Sequence, residues 1–320
     1  MDPAGRLDSL PALVPRAPAA FDGSASTGVF SGAFLRLLQA LEVAARRGLT
    51  HGSSGRRRSI RPGGSLEFSD YRPYSVGDDV RAVDWSAYAR LEQLFVKVFA
   101  GETDLAVHLL IDASASMGFG VPQSKLLLAQ RLGVALAYVA LARLDCVSVS
   151  TFGGGRLTSS SLYRGKRSIA LVLDQLARVE LREGPTGIGE ACRGFCERHP
   201  RRGVTFLLTD LLDPGGFEAG LRLLHGARHE PRVIQIVARE ELTPSARGGF
   251  RLHDAGGEGE AVAVSLDDDG AAQYVTSTRL FLRSVEAFCH AHRIPYVRTE
   301  SDVEIGRLLV RLRNRPGFLR

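Results

Sequence analysis

Leu105-Ala106-Val107-His108-Leu109-Leu110-Ile111-Asp112-Ala113-Ser114-Ala115-Ser116-Met117 is the stretch on which the reading of this chain turns. The run to Ile111 is short, apolar and branched, which reads as a buried strand. It stops in an acid. Two serines follow, spaced two apart among alanines. A strand that only had to end would more often use Gly, Pro or Asn. The acid and the hydroxyls therefore call for a chemical reason.

The pattern becomes regular after this strand. Helix 122–143, opened by Pro122, is followed by strand 146–152 and the Gly-rich hairpin GGGRLTSSSLYRG (153–165). Helices 167–179 and 188–198, strand 203–209, helix 215–226 and strand 232–238 come next. Residues 240–275 are rich in Gly and Asp, with short strands near 249–252 and 261–266. Helix 277–292, strand 295–298 and helix 302–313 close the chain. Apolar strands alternating with amphipathic helices imply an α/β fold, a doubly wound and mostly parallel sheet covered on both faces.

Upstream, residues 28–47 have helical periodicity, with Phe30, Phe34, Leu37, Leu38 and Leu41 on one face and Gly48 as C-terminal cap. A Gly/Ser/Arg loop follows at 49–64. Strand-like stretches at 66–74 and 94–100 flank a turn at Gly77-Asp78-Asp79 and a helical piece at Asp84–Arg90. The expected organisation is a disordered tail (1–27), an N-terminal helix-plus-strand extension (28–104) and the sheet domain (105–320). In the extension, Asp78, Asp79, Arg81, Asp84 and Arg90 are expected to form an ion network. Trp85, Phe68, Tyr71 and Tyr74 are expected to supply a small core. A docking surface is the other use of this segment.

In an open parallel sheet, ligands gather outside the carboxyl ends of the strands. Asp112, Ser114 and Ser116 sit at one such end. Thr186, in the loop Gly184-Pro185-Thr186-Gly187, and Asp210, at the end of the strand from Val204, can reach the same crevice. Five oxygen donors around one point suit a hard divalent cation, Mg²⁺ or Mn²⁺. Neutral hydroxyls add no charge, so a cation held by them keeps its appetite for an acidic ligand. The competing structural use is capping of the next helix and of loop backbone. Asp213, with Pro214 after it, reads as the N-cap of helix 215–226. Met117 reads as packing beneath the site.

Asp-x-Ser-x-Ser, then a Thr 74 residues after Asp112, then an Asp 98 residues after it, resembles the metal-ion-dependent adhesion site of von Willebrand factor A domains, a Rossmann-like fold. The likeness implies Ser114, Ser116 and Thr186 as direct ligands, with Asp112 and Asp210 acting mainly through water. A longer signature precedes it: Glu67-Phe68, Arg72, Tyr74, Gly77-Asp78-Asp79, Arg81, Asp84-Trp85, Ala89-Arg90 and Val96-Lys97. It is similar to the bacterial domain-of-unknown-function family numbered fifty-eight, over about 28–315. That resemblance implies an A-type domain with an N-terminal extension, working beside a MoxR-type AAA+ ATPase. The function expected is a non-enzymatic, metal-dependent interaction module, adaptor or co-chaperone, that grips an acidic side chain of a client protein or of the ATPase. Many relatives carry N-terminal membrane helices, which this sequence does not show.

The alternative is a Mg²⁺-dependent phosphohydrolase built on the same strand-end site. It needs a nucleophile or base, and Asp112 can serve only if it is not tied up around the metal. His108 reads as packed within its strand, and His225, His229, His290 and His292 read as helix-end and surface residues. Gly153-Gly154-Gly155-Arg156 and Gly165-Lys166-Arg167 lack the residues of a phosphate-binding loop.

Composition sets the remaining bounds. With 44% hydrophobic and 24% charged residues, the 320-residue chain is an ordinary globular sequence. Of 41 basic residues only Lys97, Lys125 and Lys166 are lysines, so the net charge of +6 is a weak pointer to nucleic acid. The run Arg56-Arg57-Arg58-Ser59-Ile60-Arg61 has no aromatic interleaving and reads as a loop. No nucleic-acid partner is expected. No apolar run is read as a membrane helix, and the first residues lack the apolar core of a signal peptide. The expected location is cytoplasmic. Cys192 and Cys196 share a helix face, and the four cysteines have no zinc spacing.

Overall fold

The computed structural model describes residues 58–60, 68–75, 83–102, 106–143, 145–243, 248–252, 262–266 and 268–318, with Phe30, Gly32, Phe34, Arg36, Leu37 and Leu38. The chain divides into two compact units, one of residues 49–104 and one of residues 1–48 with 105–320.

The smaller unit holds strands β1 (Arg58–Ile60) and β2 (Phe68–Pro73), helix α1 (Trp85–Leu91) and strand β3 (Phe95–Glu102), in an antiparallel sheet of order β1-β3-β2. Part of the arginine run read as loop is thus strand. Its remaining residues, and Asp78, Asp79 and Arg81 of the expected ion network, lie outside the described residues. Asp84 caps α1, accepting from the Ser86 and Ala87 amides at 2.9 and 3.2 Å. Starting the helix there puts Ala87 inward and Trp85 outward. Trp85, expected in a core, is 60% exposed, and Tyr88 and Leu91 on the same short helix are also exposed.

In the larger unit, β4 (Ala106–Asp112) is followed by α2 (Lys125–Ala142), β5 (Cys146–Gly153) and β6 (Arg156–Ser159). Next come α3 (Ile169–Ala177), α4 (Ile188–Arg198), β7 (Gly203–Thr209), α5 (Glu218–Gly226), β8 (Glu230–Val237) and the single turn α6 (Arg239–Leu242). A hairpin of β9 (Gly248–Leu252) and β10 (Val262–Leu266) precedes α7 (Asp268–Ala291), β11 (Tyr296–Glu300) and α8 (Ile305–Asn314). The main sheet has six strands in the order β11-β8-β7-β4-β5-β6. All neighbours are parallel except β6, which turns back antiparallel on β5 through Gly154-Gly155. This is the doubly wound sheet that the sequence pattern implies.

β4 is central, so its alternating side chains face two cores. Val107, Leu109 and Ile111 join α2, α3, α8 and the helical residues Phe34 and Leu38 on one face. Leu110 joins α4, α5 and α7 on the other. Phe34 and Leu38, grouped with the extension on sequence grounds, are therefore buried in the sheet domain's core. α2 is long and apolar enough to cross a membrane by length and composition, contrary to the sequence reading, and 72% of it is buried inside the protein. It begins at Lys125 rather than Pro122, because the Ser124 hydroxyl accepts from the Leu127 amide at 3.2 Å. α7 starts at Asp268, nine residues before the expected start at 277.

Candidate functional site

β4 and β7 lie side by side, in register from Ala106↔Gly203 to Ile111↔Leu208. The residues that end them are therefore neighbours. Asp112 is fully buried and held at both oxygens: Oδ1 accepts from the Ser114 amide (2.8 Å) and Oδ2 from the Thr209 hydroxyl (2.6 Å). The chain then turns through a 3-10 turn at Ala115–Gly118, which brings Ser114 Oγ and Ser116 Oγ to 3.2 Å. Met117 is buried beneath, as expected.

Gly153 makes this turn possible. At φ +134° it lies so close that a Cβ would sit 2.7 Å from the Ser114 nitrogen. Only glycine accepts both the angle and the approach.

Asp210 follows β7 and is 1% exposed. Its Oδ1 accepts from the Leu212 amide at 2.9 Å, and its Oδ2 accepts from Lys125 Nζ at 2.7 Å. Lys125 Nζ also donates to Glu241 Oε1 at 2.5 Å. Lys125 has no exposed surface at all. Burial by itself would lower its ammonium's pKa, but Asp210 and Glu241 outweigh that and hold it above the ordinary lysine value. Three acids thus gather at this end of the sheet, with one buried ammonium that bonds two of them.

Asp112 is the third. Among the described residues its bonds are to the Ser114 amide and to the Ser114 and Thr209 hydroxyls, none to a cation. Burial first, and the charge of Asp210 second, push its carboxyl up to about 7, against the pull of Ser114 and Thr209. A buried acid short of positive charge, beside two clustered hydroxyls, is the donor chemistry a hard divalent cation relieves. Among the described residues, no three His, Cys, Asp or Glu side chains converge to hold a metal. A site here rests on hydroxyl oxygens.

Thr186 is buried in the α3–α4 loop, but its hydroxyl donates to the Leu212 carbonyl at 3.3 Å and bonds none of the other four candidates. The structure thus joins Asp112, Ser114 and Ser116 directly and places Asp210 electrostatically beside them. It brings Thr186 against the loop that follows Asp210. That contact is reinforced by Asp213, which the sequence assigned to the wrong helix. Its Oδ2 accepts from the Ile188 amide at 2.6 Å, capping α4, whose own cap position is the side-chain-free Gly187. α5 starts later, at Glu218.

The sequence reading missed Lys125, Thr209 and Glu241. Lys125 carried a signal: a lysine, one of three in the chain, opens a helix with almost no polar face. His229, expected on the surface, is buried with His108 and His199 around Phe195, the ring centroids of His108 lying 5.1 and 5.3 Å from those of His199 and His229.

A cavity of about 470 Å³ lies between β6 and the segment after α3, lined by Thr151, Thr158 and Arg182 among others. Arg182, paired by a backbone bridge with Ser114, places its guanidinium there on Thr151 and Thr158 hydroxyls and on two carbonyls. Arg156 and Arg178 also line it, together with Glu180 and Glu183.

The model of the family described as "Protein of unknown function DUF58" matches residues 70–279. The uncharacterized protein Rv1480 of Mycobacterium tuberculosis is 26% identical over 223 residues, which span 68% of this chain and 69% of that protein. The conserved hypothetical protein BatB of Bacteroides thetaiotaomicron is similar over 65% of this chain and 96% of its own, at 17% identity and a TM-score of 0.39. An aerotolerance-related membrane protein of Bacteroides fragilis covers the same shares at 14% identity and a TM-score of 0.36.

Proposed function

The chain belongs to the family DUF58, and we propose that it is a non-enzymatic protein-interaction module whose grip depends on a divalent cation, Mg²⁺ or Mn²⁺, at the end of β4. Ser114, Ser116 and Thr186 would hold the cation directly, Asp112 and Asp210 through water. Bound there, the cation supplies an open, electrophilic position for an acidic side chain of a partner.

The observation that carries the reading is the state of the carboxylates. Both oxygens of Asp112 and both of Asp210 already accept from protein donors. Neither acid is free to saturate a cation, while the two serine hydroxyls stand together. Such a site favours an acid brought from outside. Arg182, whose backbone bridges to Ser114, and Arg156 line a neighbouring cavity that would extend the same preference, with Glu180 and Glu183 tempering it.

The partner proposed from the family resemblance is a MoxR-type AAA+ ATPase, which would do the ATP-driven work on an acidic client. The location proposed with it is the cytoplasm. The exposed face of α1, with Trp85, Tyr88 and Leu91, supports an interaction role for the smaller unit as well.

The test is calorimetric titration of Mg²⁺ into wild type and into the Ser114→Ala/Ser116→Ala double variant, alone and with a MoxR-type ATPase. Binding by wild type alone, with tighter ATPase association, is the expected result. Failure of wild type to bind in either condition leaves the 112–116 turn as a capping device and sinks the proposal. Metal-dependent turnover of phosphate esters, lost in Asp112→Ala, would replace it with a phosphohydrolase.

A further inference from the structure

A lysine at the first position of a helix meets the positive end of the helix dipole, where an acid is the favourable choice. Lys125 stands at that position in α2, fully buried. Neither helix propensity nor solvation explains it. Its contacts do. Nζ reaches across to the end of β7 and to α6, bonding Asp210 Oδ2 and Glu241 Oε1. Glu241 is fixed in turn, its Oε2 accepting from the Ala238 amide at 2.7 Å. Asp210 is clamped between this ammonium and the Leu212 amide.

The clamp has a consequence for charge. Lys125 occupies Asp210 Oδ2 while the Leu212 amide occupies Oδ1, so neither oxygen is open to a cation beside Asp112, whose carboxyl feels the charge of Asp210. It also cancels part of the negative field that a cation at Ser114 and Ser116 would feel. Glu241 works against this by drawing part of the ammonium's charge to itself. We propose that Lys125 is a built-in counter-ion, a positioning residue that keeps Asp210 out of direct coordination and so sets how tightly the strand-end site holds a divalent cation. This rests on the metal-dependent reading of the site and deepens it.

The two partners of the clamp make opposite predictions. Lys125→Met releases Asp210 and its full charge, so Mg²⁺ binds about tenfold more tightly. Glu241→Gln leaves the ammonium wholly to Asp210, so Mg²⁺ binds more weakly, again by about tenfold. Lys125→Arg keeps the charge and returns affinity toward wild type. The experiment is Mg²⁺ calorimetry on the full chain for wild type and the three variants, with circular dichroism to confirm folding. Should Lys125→Met fail to fold, Glu241→Gln and Lys125→Arg decide the matter.

A merely structural tether would weaken binding in both charge-altering variants or leave both unchanged. Either result overturns the inference while wild type still binds Mg²⁺. A wild type that does not bind overturns the metal reading and this inference together.

Discussion

Thr209 Oγ1 donates to Asp112 Oδ2 at 2.6 Å across the β4–β7 boundary, and the same hydroxyl accepts from the Leu211 amide at 2.9 Å. One side chain thus satisfies a buried acid and fixes the start of the loop that carries Asp210. Thr209→Val keeps the shape and removes both roles. The expected cost is about 1–3 kcal/mol, that of a buried acceptor left without its donor. Urea unfolding measures it. Thr209→Ser, which retains the hydroxyl, is expected to recover most of the loss, and equal stability of the valine variant and wild type would contradict the assignment.

The raised carboxyl of Asp112 has a sign in stability. Its unfolded value is the ordinary 3.8, and its folded value is about 7 without metal. Between these the folded state holds more protons than the unfolded one, so stability falls as pH rises through the window. Asp112→Asn does not titrate. In metal-free buffer the variant is expected to gain on wild type from about pH 4 to pH 7, read as the difference between their denaturation midpoints. Added Mg²⁺ is expected to narrow that difference at pH 7 by supplying the missing positive charge.

The histidines at the other end of the strands titrate with the opposite sign. His108 is bonded to Ser148 Oγ and the Arg201 carbonyl, and its imidazole is pushed down to about 3 by burial, then by His199 and His229. His199 and His229 are also depressed, burial being the larger cause in each. Groups lowered in the folded state stabilise it above their unfolded value near 6.5, and that contribution is lost as pH falls toward the folded value. Nitrogen-detected NMR of the imidazoles is expected to show His108 still neutral at pH 5. A protonated His108 at that pH would contradict the burial argument.

The parts of this molecule that sequence made legible are those governed by local pattern. The period-free apolar run to Ile111 identified a central strand, and α4 and β7 begin and end where the pattern places them. Asp112, Ser114 and Ser116 were legible because a short turn holds them together. The rest depends on pairs far apart in the chain. Lys125 meets Asp210 85 residues away, and Asp213 caps a helix that begins 25 residues before it. The buried histidines come from three separate elements, each of which looks unremarkable alone. Asp84, expected in an ion network, proves to be the N-cap of α1, and whether Trp85 then faces a core depends on the fold around it.

Trp85 supplies the last prediction. On a seven-residue helix, the cap at Asp84 and the inward turn of Ala87 leave the indole edge-to-face with Tyr88, centroids 6.3 Å apart, and 60% exposed. A tryptophan in a core costs about 3–5 kcal/mol when cut to alanine. An exposed one resting on a neighbouring ring forfeits about 0.5–1.5 kcal/mol of aromatic contact. Trp85→Ala is therefore expected to shift the unfolding midpoint only slightly. If α1 is a docking face, the same variant loses affinity for its partner at unchanged Mg²⁺ affinity, because Trp85 lies in the smaller unit and the strand-end serines in the larger. Surface plasmon resonance against a MoxR-type ATPase, run beside the Mg²⁺ titration, separates these effects. A large loss of stability would place Trp85 in a core after all and withdraw the docking face.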